Sequence, residues 1–109
     1  MATFVKDGMA TMLGRMVTLA RNTLDRLESD LALSTLPEDA KLKLWRDLGY
    51  MRDMCHYAEY VARYGHRDVS DAVEKIWTFS INLDTTDPLL QTVDTLLWAC
   101  VRDCTHKRD

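Results

Sequence analysis

Glycine and proline are scarce, four and two in 109 residues. An all-β chain needs many tight turns and the residues that make them, so this scarcity excludes a sandwich or a barrel. Long apolar runs are missing too. The longest, Leu96 to Val101 (LLWACV), falls far short of the roughly 20 residues a membrane-spanning helix requires, and no membrane contact is expected. Charge of one sign is also lacking. Fourteen Lys and Arg stand against seventeen Asp and Glu, for a net charge of −3, and the signs alternate in RLESD, KLKLWRD and HRDVSD. A generic nucleic-acid binder needs a basic excess to displace counterions from phosphates, so composition argues against that partner. Cysteine is sparse and odd in number: Cys55, Cys100 and Cys104. That excludes a secreted disulfide framework. The opening segment MATFVKDGMATMLGRM has no basic start leading into an apolar stretch, so it does not resemble a signal peptide. A reducing, cytoplasmic location is the expectation.

What is present is the mix of a globular protein, 47% apolar and 28% charged, at a length that suits one domain, residues 1–109. Three clusters punctuate it. In Ser34-Thr35-Leu36-Pro37-Glu38, Thr35 and Glu38 have capping-box spacing and Pro37 suits a first turn. In Gly65-His66-Arg67-Asp68, the glycine is placed to end one helix in a left-handed conformation and the aspartate to cap the next. In Asp84-Thr85-Thr86-Asp87-Pro88, Asp87 reads as an N-cap and Pro88 as the first helical residue. Four segments with helical periodicity remain, at about 7–31, 36–64, 69–83 and 88–105. Short connections place successive helices side by side, so the expected fold is all-α, a small antiparallel four-helix bundle.

The apolar spacing then proposes which faces are used. In the first segment Val5, Met9, Met12, Met16, Ala20, Leu24, Leu27 and Leu31 step by three or four, with Leu13 and Val17 widening the stripe. In the third, Ala72, Val73, Ile76, Trp77 and Ser80 form the inner face. The second segment carries two seams. One is Leu44, Leu48, Met51, Cys55, Ala58 and Ala62; the other is Tyr50, Met54, Tyr57, Val61 and Tyr64, roughly 120° away around the axis. A helix at the edge of a small bundle needs only one stripe. Either this helix is central, or its tyrosine-rich seam is a surface for another protein. In the fourth segment Leu89, Leu90, Val93, Leu96, Leu97, Cys100, Val101 and Cys104 fill a broad arc, and Trp98 lies outside it. An exposed Trp is a common anchor at interfaces, unless the segment Met1 to Val5 folds over it. A chain this short buries only about two-thirds of its unfolded surface. The functional expectation is a non-enzymatic protein-binding module, such as a small adaptor, inhibitor or chaperone. It would contact a protein partner through Tyr50, Met54, Tyr57, Val61, Tyr64 and Trp98, with a homodimer the simplest assembly.

Two alternatives stand beside it. Arg63, Tyr64 and Arg67 lie close enough to make a candidate nucleic-acid contact in a nucleoprotein assembly. Cys55, Cys100, Cys104 and His106 are the only metal- or thiol-type cluster, but they lack a knuckle spacing and the cysteines lie on apolar seams. Cys55 and His56 are adjacent in a helix and diverge by about 100°, so they cannot form a catalytic pair. Asp68/Asp71 and Asp84/Asp87 flank helix starts, where capping explains them. No phosphate loop or hydrolase motif occurs, and no cofactor, metal or catalytic residue is assigned.

Overall fold

A computed structural model describes residues 1–108; Asp109, the last residue of the expected single domain, lies outside the described residues. The element order is β1 (Ala2–Val5), α1 (Ala10–Ala32), α2 (Glu38–Tyr64), α3 (Ser70–Asn82), α4 (Pro88–Cys104) and β2 (Thr105–Arg108). The four expected helices are all present. Contacts between them set their directions. Arg21 of α1 meets Glu59 of α2 at 2.5 Å, while Asp25 and Glu28 farther along α1 meet Arg52 earlier in α2. Numbers rise in one helix as they fall in the next, so α1 and α2 run antiparallel. On α3 and α4, Trp77 touches Trp98 while Ser80 donates to Asp94 at 2.9 Å, again antiparallel. The bundle is a rod 50 Å long and about 20 Å across, with axes of 22 and 18 Å.

α2 is the central helix. Within its first seam Leu48, Met51, Cys55 and Ala58 are fully or almost fully buried, and Leu44 and Ala62 at its two ends are partly buried. Its second seam meets α3, where the Phe79 ring stacks on Tyr57 at 5.9 Å and lies 6.2 Å from Tyr50. Met54 and Val61 are fully buried. Each such side chain stabilises the fold by about 1.5–3 kcal/mol relative to exposure. Beside the same helix, Asp47 is fully buried as well. Its Oδ1 accepts a long bond from the Asp84 backbone N–H, at 3.4 Å, and holds the chain where it leaves α3.

The two short strands depart from the expected fold. β1 pairs antiparallel with β2, Thr3 opposite Lys107 and Val5 opposite Thr105. A two-stranded ribbon is marginal alone, and this one is held on its other edge. Val5 N–H donates to the Gly65 carbonyl at 3.1 Å and Val69 N–H to the Thr3 carbonyl at 2.8 Å. Thr3 N–H donates to Asp68 Oδ1 at 2.9 Å. β1 thus runs between β2 and the α2–α3 loop and clasps both chain ends to the middle of the sequence. Thr105, expected inside the last helix, is the first residue of β2. The helical step that began at Val5 starts only at Ala10, after a turn in which Gly8 has φ +81°, a conformation glycine adopts without a Cβ clash.

Three local expectations change for physical reasons. Gly65 is not left-handed; its φ is −60°. A Cβ there would overlap the Val5 side chain, so the glycine admits the strand. The Thr35/Glu38 capping box does not form, since α2 begins at Glu38 with Pro37 before it and no side-chain cap. Asp68 accepts from Ser70 N–H at 3.0 Å as well as from Thr3, so it ties strand and helix start together. Asp87 does cap α4, accepting from the Leu89 and Leu90 N–H groups, with Pro88 in the first turn.

Candidate functional site

The buried faces of α1 and α4 are narrower than their sequence stripes. On α1 the core side chains are Leu13, Val17, Ala20, Leu24 and Leu31. The stripe therefore centres on Leu13 and Val17, and Met12 is left 43% exposed. On α4 the core is Leu90, Val93, Leu97, Val101 and Cys104. Leu89 and Leu96, counted in the apolar arc, are 45% and 51% exposed. Met12 and Leu19 are seven apart, as are Leu89 and Leu96, so each pair lies on one helix face. Leu19 is 60% exposed. A shallow groove of about 110 Å³ runs between the two helices, with Met16, Ala20, Val93 and Leu97 beside Leu19 and Leu96. It is almost wholly apolar because no charged side chain lines it.

A second concavity lies at the clasped end. α3 turns Trp77 outward, 49% exposed, although its spacing places it on the inner face. The inner face of α3 is instead Ala72 and Ile76, with Val73 and Phe79 packed at its margin. Trp77 meets Trp98 at 5.3 Å between ring centroids, tilted by 47°. The two indoles, Arg102 of α4 and Lys107 of β2 line a cleft of about 560 Å³. Met1 and Thr3 line it as well, so the N-terminal segment does come to Trp98, but leaves it only half-buried.

The other expected contact residues are placed as follows. Met54 and Val61 are sealed in the chain's own core, which corrects their expected availability to a partner. Both belong to the buried core cluster of the chain and have no exposed surface to offer. Tyr50 and Tyr57 are half-buried against Phe79. Tyr64 is half-buried, 4.8 Å from the Tyr60 ring, with the Arg67 guanidinium 5.5 Å above it. Arg63 pairs with Glu59 at 3.4 Å in an exposed ion pair and lines one shallow concavity with Tyr60 and Tyr64, so Tyr64 lies beside both Arg63 and Arg67.

Two of the three thiols meet, but no third ligand-type side chain joins them among the described residues. Cys100 and Cys104 sulfurs are 3.8 Å apart, and burial pushes the Cys55 and Cys100 thiols up to about 11, for Cys100 with the neighbouring Cys104 adding to it. Such thiols hold their protons at neutral pH and are poor nucleophiles. Among the described residues no group of three or more His, Cys, Asp and Glu gathers in metal-binding range. Among the same residues no helix is long and apolar enough to cross a membrane.

The Trp77 position and the Leu19/Leu96 groove were missed by spacing alone. For the groove the available signal was the broad α4 arc, which includes Leu96 and is wider than one neighbour can cover; no spacing set Leu19 or Trp77 apart. A scan of family models and searches of curated proteins and of solved structures give no match to this chain.

Proposed function

We propose that the protein is a non-enzymatic helical binding module that associates with a second copy of itself through the α1–α4 face. The observation that supports this is the row of Met12, Leu19, Leu89 and Leu96, all between 43% and 60% exposed on two adjacent helices. Leu19 and Leu96 share one apolar groove, and exposed apolar surface of this kind marks interaction sites. A two-fold dimer brings the same patch from both copies together, and covering the exposed half of each leucine contributes about 1 kcal/mol. The α1–α4 face is preferred to the tyrosine seam because Tyr50 and Tyr57 already pack on Phe79 of α3, whereas nothing in the chain covers Leu19 and Leu96 to the same degree.

Light scattering after size exclusion tests the reading. The wild-type chain is expected to shift from monomer to dimer as concentration rises. Leu19→Glu combined with Leu96→Glu is expected to remain monomeric with unchanged helicity. A wild-type chain that stays monomeric up to millimolar concentration overturns it.

A further inference from the structure

The cleft at the clasped end brings together exposed indole surface, two cationic side chains and an unpartnered buried polar atom. Its floor carries two indoles in contact, with Trp77 half exposed. Its wall carries Arg102 one helical turn beyond Trp98, and Lys107 on β2. Among the described residues Lys107 has no carboxylate partner, and Arg102 has only its chain neighbour Asp103, at 3.5 Å and exposed. Such an exposed pair is worth little, so both cations are available. One carboxylate, Glu74, also lines the cleft. His106 lines it too, and its Nδ1 is buried without a hydrogen-bond partner. The volume, about 560 Å³, is within the range of sites that hold a small organic molecule.

The chemistry decides the ligand class. An aromatic cage for an organic cation needs rings facing each other across a gap. Here the rings touch, tilted by 47°, and the two cations outnumber the single acid. A flat ring can instead lie on the open face of Trp77, with an anionic group carried toward the guanidinium and ammonium. We infer that this cleft binds a planar aromatic group bearing a carboxylate or similar anion, held by stacking on Trp77 and by charge at Arg102 and Lys107. A free aryl acid and a C-terminal aromatic residue of another polypeptide present the same chemistry. This site is separate from the α1–α4 face, and neither depends on the other.

Trp45, at the start of α2 and outside the cleft, serves as an internal control for nuclear magnetic resonance of the three indole N–H groups. Indole-3-acetate, its neutral amide, and a short peptide ending in Phe with a free carboxylate are titrated in turn, with an aryl trimethylammonium salt as the opposite charge. Expected are saturable shifts of Trp77 and Trp98 with Trp45 unmoved, and at least ten-fold weaker binding of the amide. Arg102→Gln with Lys107→Gln is expected to remove that ten-fold preference, and Trp77→Ala to abolish the Trp98 shift. Both variants change exposed side chains and keep the core. Whichever of the free acid and the peptide binds more tightly names the source. Absence of saturation below millimolar ligand, equal binding of acid and amide, or preference for the ammonium salt each overturns the site.

Discussion

The α2–α3 seam and the α1–α4 groove are built from the same material and end differently. Each joins neighbouring antiparallel helices with apolar residues at helical spacing. In the first, Met54 and Val61 are fully buried and two tyrosines close over Phe79. In the second, Leu19 and Leu96 stand open to water beside the groove. The difference lies in the third dimension of the contact. A broad ring on α3, Phe79, reaches across to roof the α2 seam. The α1–α4 groove is lined by Met16, Leu19, Ala20, Thr23, Val93, Leu96 and Leu97, with no aromatic among them to bridge above it. Apolar spacing shows that a face is greasy; what covers it depends on the size of the side chain opposite.

The largest expected effect sharpens this contrast. Met54→Ala leaves a cavity in a sealed seam and is expected to destabilise the monomer by about 2–5 kcal/mol in urea unfolding. Leu96→Ala, measured on the dilute monomer, is expected to change stability by no more than about 0.5 kcal/mol. Equal losses would mean that the groove is as closed as the seam.

Next comes the clasp, which joins the end of the α2–α3 region to both termini. Gly65→Ala places a methyl group into Val5 and is expected to cost about 1–3 kcal/mol. The loss is expected at the β1 amides first, seen as faster hydrogen exchange of Val5, whose N–H bonds to the Gly65 carbonyl. An exchange pattern unchanged at β1 would show that the strand is not held there.

The smallest effect is a pH dependence. The hydrogen bond from the Ser70 side chain, followed by the bonds from the Thr3 and Ser70 N–H groups, holds the Asp68 carboxyl below its ordinary range. A carboxyl lowered in the folded state contributes stability above its unfolded value, about 3.9, and loses it as pH falls through the lower folded value. Asp68→Asn is therefore expected to melt below wild type at pH 7, with the gap closing as pH falls toward 3. Asp94 works in the opposite sense, since burial raises it, partly offset by the Ser80 hydroxyl. The comparison of variant with wild type removes that contribution, because Asp94 is common to both. A gap that stays constant with pH would break the assignment of Asp68 to the clasp.

Local physical rules made much of the helical frame legible. The Asp87-Pro88 start of α4 could be read directly, because a cap and its helix are neighbours in sequence. The doubled seam of α2 was legible as well, and one of its two readings, a central helix, is what the fold shows. The Leu13/Val17 centre of α1 was blurred by Met12 and Met16, which share the same spacing and differ only in what lies opposite them. Of the candidate cleft, Trp98 was visible as a residue outside its arc, but Trp77 was hidden inside an apolar pattern.

The order of apolar and polar residues by itself determined four helices, their approximate limits and the one strong cap, since each depends on atoms a few residues apart. The tertiary structure alone decided that residues 2–5 and 105–108 become strands, that Gly65 makes room for Val5, and that Trp77 meets Trp98. Those outcomes join atoms about 20 to 100 residues apart along the chain, and no local periodicity carries information across that distance.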